Sequence, residues 1–346
     1  MTARSSLTAA IRGTRLALVI VALVAMVALA AAAARASHMG GPVRAGKLRP
    51  APASADRSPA CVVPGRRAPT DCYEPRFPVR AAFYYPWFPQ AWRQQGLDPF
   101  THYTPALGLY ASASVSVIQR HLADFAYGGI QAGISSWWAR GAPSDKVFAK
   151  LLDVTNRTRS KLRWAVYYEP EGQGDPSVDT IAADLRYIRD NYRWNRAYLR
   201  VQGRFVVFVY ADPNDGAAMA ARWRAANAQI GNAAYIDLKV FPGYRSVPDQ
   251  AQAWHQYAPS HAEDDKAGSS FTISPGFFKA SEPQPRLARD VASWRTSVGD
   301  MVASHASWQL ITTFNEWGEG TAIEPAGEWS SPSGFGAYLD VLHEIR

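Results

Sequence analysis

From residue 79 onward the chain alternates between short runs that are apolar, β-branched or aromatic and longer stretches in which apolar positions recur every three or four residues. The first kind suits a strand buried on both faces, the second an amphipathic helix packed over it. Eight runs qualify as strands: 80–87, 130–138, 163–168, 205–210, 234–241, 253–257, 270–274 and 308–315. Helical patterns occupy 112–127, 144–158, 177–192, 214–229, 285–305 and 335–345, with Ser112, Ser144, Ser177 and Asn214 as N-caps. The fifth and sixth crossovers are short or irregular, so the alternation is imperfect. Eight strands alternating with helices predict an α/β fold, a (β/α)8 TIM barrel over residues 79–346. No glycine-rich dinucleotide fingerprint follows the first strand, which disfavours a nucleotide-binding sheet.

The first 78 residues break this pattern. Arg4, Arg12 and Arg15 precede an uncharged run, 16–34, and Ala34-Arg35-Ala36 offers small residues for cleavage, so residues 1–36 read as a secretory signal peptide. The run is long enough to serve as an uncleaved membrane anchor, but its alanine richness makes it weakly hydrophobic and favours cleavage. Either way the body is expected to be secreted or held at the cell surface. Residues 37–78 form a linker rich in Pro, Ala and Arg, too poor in periodic apolar positions to fold. Cys61 and Cys72 lie in it; in an oxidising compartment they are expected to form one disulfide, and the segment lacks the further ligands a metal would need. The formal charge of +8 also belongs to this end. Eleven Lys and Arg against Asp56, Asp71 and Glu74 lie before residue 79, leaving a neutral body with no basic stripe for nucleic acid. At 346 residues and 47% hydrophobic, the chain can bury one barrel-sized core, and a monomer without cofactor is expected.

In such a barrel the chemistry sits where strands end. Here those ends read Tyr84-Tyr85-Pro86-Trp87, Ser135-Ser136-Trp137-Trp138, Tyr167-Tyr168-Glu169-Pro170-Glu171, Tyr210-Ala211-Asp212, Ser274-Pro275-Gly276-Phe277 and Asn315-Glu316-Trp317-Gly318-Glu319. Aromatic rings and acids therefore converge on one rim from well-separated segments. Glu316 and Glu319, three apart, suit acetal cleavage, which needs a proton donor for the leaving oxygen and a second group to relieve oxocarbenium charge. Trp317 between them offers an aromatic face to a sugar. These features point to a glycan-cleaving enzyme acting on an oligosaccharide or polysaccharide. The alternative is a non-catalytic carbohydrate-binding or envelope-assembly protein on the same barrel, although a lectin has no need of a proton donor.

Tyr-Tyr-Pro-Trp, Ser-Trp-Trp, Tyr-Tyr-Glu-Pro, Ser-Pro-Gly and above all Phe-Asn-Glu-Trp-Gly-Glu-Gly-Thr-Ala-Ile-Glu-Pro, in order from Ala81 to Pro325, resemble glycoside hydrolase family 99, the endo-α-mannosidases and endo-α-mannanases. The resemblance implies retaining cleavage of α-mannosidic linkages. Glu319 would be the general acid and later the base for water, and Glu316 the carboxylate that engages the sugar 2-hydroxyl, which itself attacks to give a 1,2-anhydro sugar. It implies that Glu169 hydrogen-bonds substrate hydroxyls and that Tyr84, Tyr85 and Trp137 wall the pocket. The other rim aromatics, Trp87, Trp138 and Tyr168, complete the expected substrate site with Trp317. The chain departs from the family at Gly318, where a His is usual, and at Phe277, where a Tyr is expected; both changes bear on substrate identity before catalysis. His102, in the loop after the first strand, either reaches the pocket or only packs the loop. Glu324 is expected at the rim as a hydrogen-bonded residue. His255, His261, Glu263, Asp264 and Asp265 read as an exposed acidic turn with no metal template.

Overall fold

The computed structural model describes residues 74–212 and 214–345, so the signal segment, Cys61 and Cys72 lie outside the described residues. All elements below belong to one compact unit. Ten strands run in chain order as β1 (Val79–Tyr84), β2 (Ala132–Trp137), β3 (Arg163–Tyr168), β4 (Arg200–Val201), β5 (Arg204–Val209), β6 (Ala234–Lys239), β7 (Ala253–His255), β8 (Glu263–Asp265), β9 (Ser270–Ile273) and β10 (Trp308–Ile311). Six helices accompany them: α1 (Val115–Tyr127), α2 (Pro143–Arg157), α3 (Val178–Asn191), α4 (Ala217–Ala228), α5 (Val291–Ala303) and α6 (Ala337–Glu344).

The sheet order is β7-β6-β5-β3-β2-β1-β10-β9-β8, with β4 beside β5. Eight strands are mutually parallel; β4 and β8 are antiparallel additions at β5 and β9. The eight expected strands are therefore all present, in one curled, mostly parallel sheet. The two ends of its parallel part, β7 and β9, meet without a backbone ladder. Side-chain hydroxyls span them instead: Ser269 accepts from Trp254 N at 2.9 Å and donates to its carbonyl at 2.8 Å, and Thr272 donates to the Gln256 carbonyl at 2.6 Å.

Strand alternation sorts the core into two layers. Ala81, Phe83 and Tyr85, Ala132 and Ile134, Ala165 and Tyr167, and Val206 and Phe208 fill the space enclosed by the sheet. Tyr84, Trp137, Trp164, Tyr168, Phe205 and Val207 point outward under the helices. Gly133 lets the outer layer close, since a Cβ there would lie 2.3 Å from the Trp164 ring.

The helices differ from expectation mainly at their starts. Ser177 does cap α3, accepting from Thr180 N, but α1 is preceded by Ser114, α2 by Ala142, α4 by Gly216 and α5 by Asp290. Ser112 and Ser144 accept hydrogen bonds from Phe88 N and Trp138 N, both at 3.1 Å, and so pin the rim loops rather than a helix. The irregular fifth and sixth crossovers contain no α-helix. The first holds a single turn, Tyr244–Ser246, and the second holds β8, so Glu263–Asp265 is a hairpin strand and not a turn. No helix among the described residues is long and apolar enough to cross a membrane.

Candidate active site

Beyond Ile311 the chain leaves the ladder and folds back on itself. Thr313 N bonds to the Thr321 carbonyl at 3.0 Å, and Ile323 N returns to the Thr313 carbonyl at 3.0 Å. Within this loop Glu316 N donates to Thr313 Oγ1 at 2.8 Å, which fixes where its side chain starts. Asn315 docks the loop onto the end of β1, accepting from Tyr85 N at 2.7 Å and donating to the Tyr85 carbonyl at 3.0 Å. Gly320, at φ 66°, lies so close to the next segment that a Cβ would sit 2.5 Å from the Phe278 carbonyl oxygen.

Beneath the loop lies a buried polar cluster. Glu324 is fully buried and accepts from Tyr110 Oη at 2.7 Å and Trp317 Nε1 at 3.0 Å, while His121 Nε2 lies 3.1 Å from its other oxygen. Tyr84 Oη lies 3.1 Å from His121 Nδ1. Tyr84, Trp317 and Glu324 thus support the loop instead of facing a sugar. Trp317 stacks on Trp329 at 5.9 Å, with no exposed face. Trp137 and Tyr168 also correct the sequence expectation. Strand alternation turns both toward the helices, where Trp137 Nε1 donates to Asp145 at 2.8 Å and Tyr168 Oη to Asp184 at 2.9 Å.

The inward-pointing neighbours at the same strand ends form the site. Tyr85 donates through its hydroxyl to Tyr257 Oη at 2.9 Å, and Tyr257 donates to Glu319 Oε2 at 3.2 Å. Glu169, Glu316 and Glu319 all act electrostatically on the Tyr85 hydroxyl, which burial already makes hard to ionise. On the far side Trp87 Nε1 donates to Ser136 Oγ at 3.1 Å, and Ser136 hydrogen-bonds Glu169. Trp87 and Trp138 are half-buried, 6.5 Å apart, and form the aromatic part of the rim. His102 is exposed, stacked on Phe278 at 3.7 Å, with Nε2 3.1 Å from the Lys279 carbonyl oxygen; it braces a rim loop.

Burial pushes all three acids up. Glu169 rises to about 8, opposed by the Ser136 hydroxyl and the Lys239 ammonium and aided by Glu319. Glu319 rises to about 7 from burial, held back by Lys279, the Tyr257 hydrogen bond, Arg286 and Lys239. Glu316 rises well above the usual carboxylate range through burial and then repulsion from Glu319, against the N–H groups of Glu319 and Gly318. Glu169 Oε1 and Glu316 Oε2 are buried without a hydrogen-bond partner among the described residues. Two buried acceptors left open beside a third acid are what an arriving ring of hydroxyl donors would satisfy.

Tyr257, Lys239, Lys279 and Ser136 belong to the site but were not singled out from sequence. Tyr257 ends the sixth expected strand and Lys239 ends β6, so the strand-end rule could have found both. His255 is not in an exposed turn. It lies inside the sheet, with Nδ1 2.9 Å from Asp237 Oδ1 and Nε2 3.3 Å from Tyr167 Oη. Gly318 also has a local reason. A Cβ there would sit 2.6 Å from the Phe100 ring and 3.2 Å from Glu316 Oε1, so Phe100 takes the room of any side chain at 318. Away from the site, carboxylate oxygens of Glu171, Asp175 and Asp215 lie within 4.8 Å of one another, but Arg222 is ion-paired with all three and already balances part of their charge.

No protein-family profile and no curated protein matches the chain. Solved structures do. The endo-α-mannosidase of glycoside hydrolase family 99 from Bacteroides thetaiotaomicron, bound to bis-tris-propane, aligns over 78% of this chain and 97% of its own with a TM-score of 0.64 at 20% identity. A second structure of that enzyme gives a TM-score of 0.62 over the same shares. A glycoside hydrolase-like protein aligns over 83% of this chain and 98% of its own, with a TM-score of 0.58 at 17% identity. The chain therefore has a glycoside hydrolase family 99-like fold.

Proposed function

We propose that this protein is a retaining glycoside hydrolase that cleaves α-mannosidic linkages within a glycan. The observation that carries the reading is the convergence of Glu169, Glu316 and Glu319 on the Tyr85–Tyr257 pair, at the ends of parallel strands from opposite parts of the sheet. A family 99 endo-α-mannosidase of the same fold supports the substrate class, and the strand order supports a (β/α)8 barrel closed between β7 and β9 by side chains.

Glu316 and Glu319 repel each other across a buried site, so they titrate as a pair and hold a proton between them near neutrality. Which of them carries it decides the chemistry. A sugar 2-hydroxyl that donates to Glu316 favours its carboxylate form and leaves the proton on Glu319. Glu319 then protonates the leaving glycosidic oxygen while Glu316 takes the 2-hydroxyl proton, and the freed oxygen closes on C1 to give a 1,2-anhydro sugar. Glu319, now a carboxylate, deprotonates a water that opens the ring at C1, and the 2-oxygen recovers its proton from Glu316. Two inversions give net retention. Glu169 holds substrate hydroxyls, and Trp87 and Trp138 offer aromatic contact. The N-terminal segment suits export, with the body released or tethered at the cell surface.

The test is to incubate the purified protein with α-mannans, α-mannosides and α-glucosides and follow products and anomeric configuration by NMR. Release of α-configured mannose oligosaccharides is expected. A folded protein that binds mannan but releases nothing from any substrate would leave a carbohydrate-binding protein.

A further inference from the structure

We propose that Lys279, buried on a segment hydrogen-bonded to the Gly318–Glu319 backbone, is a positioning residue of this site that supports Glu319 in the step in which that acid takes a proton from water. This inference rests on the roles proposed above for Glu319.

The geometry begins with the backbone. Phe278 N donates to the Glu319 carbonyl and Ala280 N to the Gly318 carbonyl, both at 2.9 Å, so Lys279 lies directly against the Gly318–Glu319 segment. His102 braces the same peptide through the Lys279 carbonyl, and Glu282 N donates to that carbonyl at 2.9 Å. Lys279 is only 6% exposed. Burial pulls its ammonium below the usual lysine range, Arg286 adds to that, and the charges that oppose it are Glu319 first, then Glu282 and Glu316.

The other groups around Glu319 do not replace it. Arg286 forms an ion pair with Glu282, which spends much of its charge. Lys239, at the end of β6, donates to the Ala211 carbonyl at 2.7 Å, lies 4.4 Å from the Tyr210 ring and also faces Glu169. Tyr257 donates one hydrogen bond, and Tyr85 and Tyr167 are neutral phenols. Glu316 and Glu169 oppose a further negative charge. An acid with those two neighbours and no adjacent cation would protonate the leaving group readily and then serve poorly as a base.

The experiment titrates Glu319 directly and kinetically. In protein carrying 13C-labelled Glu carboxyls, with the Glu319 signal assigned by its loss in Glu319→Gln, Lys279→Met should raise the Glu319 titration midpoint by about one pH unit or more, and Lys279→Arg should restore most of it. In kinetics on mannan oligosaccharides the basic limb of kcat/KM should move up by the same amount. On a mannobiosyl fluoride, whose departure needs no proton donor, turnover near pH 6 should fall about tenfold because hydrolysis of the intermediate waits on the base. A folded Lys279→Met protein with an unmoved Glu319 midpoint overturns the inference whatever the activity. If the parent protein hydrolyses nothing, the hydrolase reading fails while the titration still decides whether Lys279 controls this carboxyl.

Discussion

At the scale of single residues, what separates site from support is the side of the strand on which a residue falls. Tyr84 and Tyr85 are neighbours in a motif that sequence alone treats as a unit, yet one meets His121 under a helix and the other meets Tyr257 in the site. The same parity divides Trp137 from Ser136 and Tyr168 from Glu169. Sequence marks the strand end but not its phase, because both faces of these strands are apolar and period two disappears. Two predictions belong here. Glu319→Gln should cut hydrolysis of basic leaving groups by roughly 10²–10⁴-fold and largely spare the release of fluoride from a glycosyl fluoride, whereas Glu316→Gln should slow both; equal losses from Glu319→Gln on both substrates would remove it as the acid. The second concerns Glu169, whose folded pKa of about 8 lies above its unfolded value. A raised carboxyl contributes stability that is complete below its unfolded pKa and is lost as pH rises through about 8, because the unfolded chain then ionises while the folded one resists. Glu169→Gln removes this loss. Thermal or urea unfolding should show the variant more stable than the parent at pH 8, by on the order of 2–4 kcal/mol, with little difference near pH 4; equal effects at both pH values would mean that Glu169 is not buried as an acid.

At the scale of elements, the rim loops are built against one another. The loop after β1, held together by Ser112 on Phe88 N, carries Phe100 onto Gly318 and Tyr110 onto Glu324, so it shapes the loop after β10 from outside. The two contacts to the loop after β10 were not legible, because they join residues more than two hundred positions apart, and Ser112, which holds the loop after β1 together, resembled a helix cap. The strands and most helices were legible from continuous apolar runs and amphipathic spacing, which depend on near neighbours alone. Phe100 and Gly318 give a direct test of the interlock. Gly318 has no need of a left-handed conformation, so the barrier to a side chain there is the Phe100 ring and not the backbone. Gly318→Ala should destabilise the protein by ~1–3 kcal/mol, and Phe100→Ala should leave a cavity costing ~3 kcal/mol or more. Combined, they should cost less than their sum by ~1 kcal/mol or more. Strict additivity in urea unfolding would show that the two positions do not share one space.

At the scale of the whole molecule, the curled sheet brings Glu169, after the third parallel strand, to Glu316 and Glu319, after the last, with Tyr257 between the two halves. The alternation of strands and helices was legible, and with it a parallel sheet backed by helices. The join between β7 and β9 was not, since it is made by Ser269 and Thr272 hydroxyls that leave no hydrophobic pattern. For the proposed hydrolase there are two routes to retention. The ordinary one uses a pair of carboxylates, one of which attacks C1 and forms a glycosyl-enzyme ester. Here each carboxylate already has other work: Glu319 is held by Tyr257, Glu169 by Ser136, and Glu316 is so disfavoured as an anion that it suits a base engaged by a hydroxyl better than a standing nucleophile. A substrate whose 2-hydroxyl is replaced by fluorine should therefore bind and fail to turn over, and mass spectrometry of the protein after incubation should find no added sugar. Its 2-hydroxyl parent should be cleaved with retention under the same conditions. A covalent adduct on Glu316 or Glu169 would overturn the anhydro-sugar route and return the site to double displacement, with the trapped residue as its nucleophile.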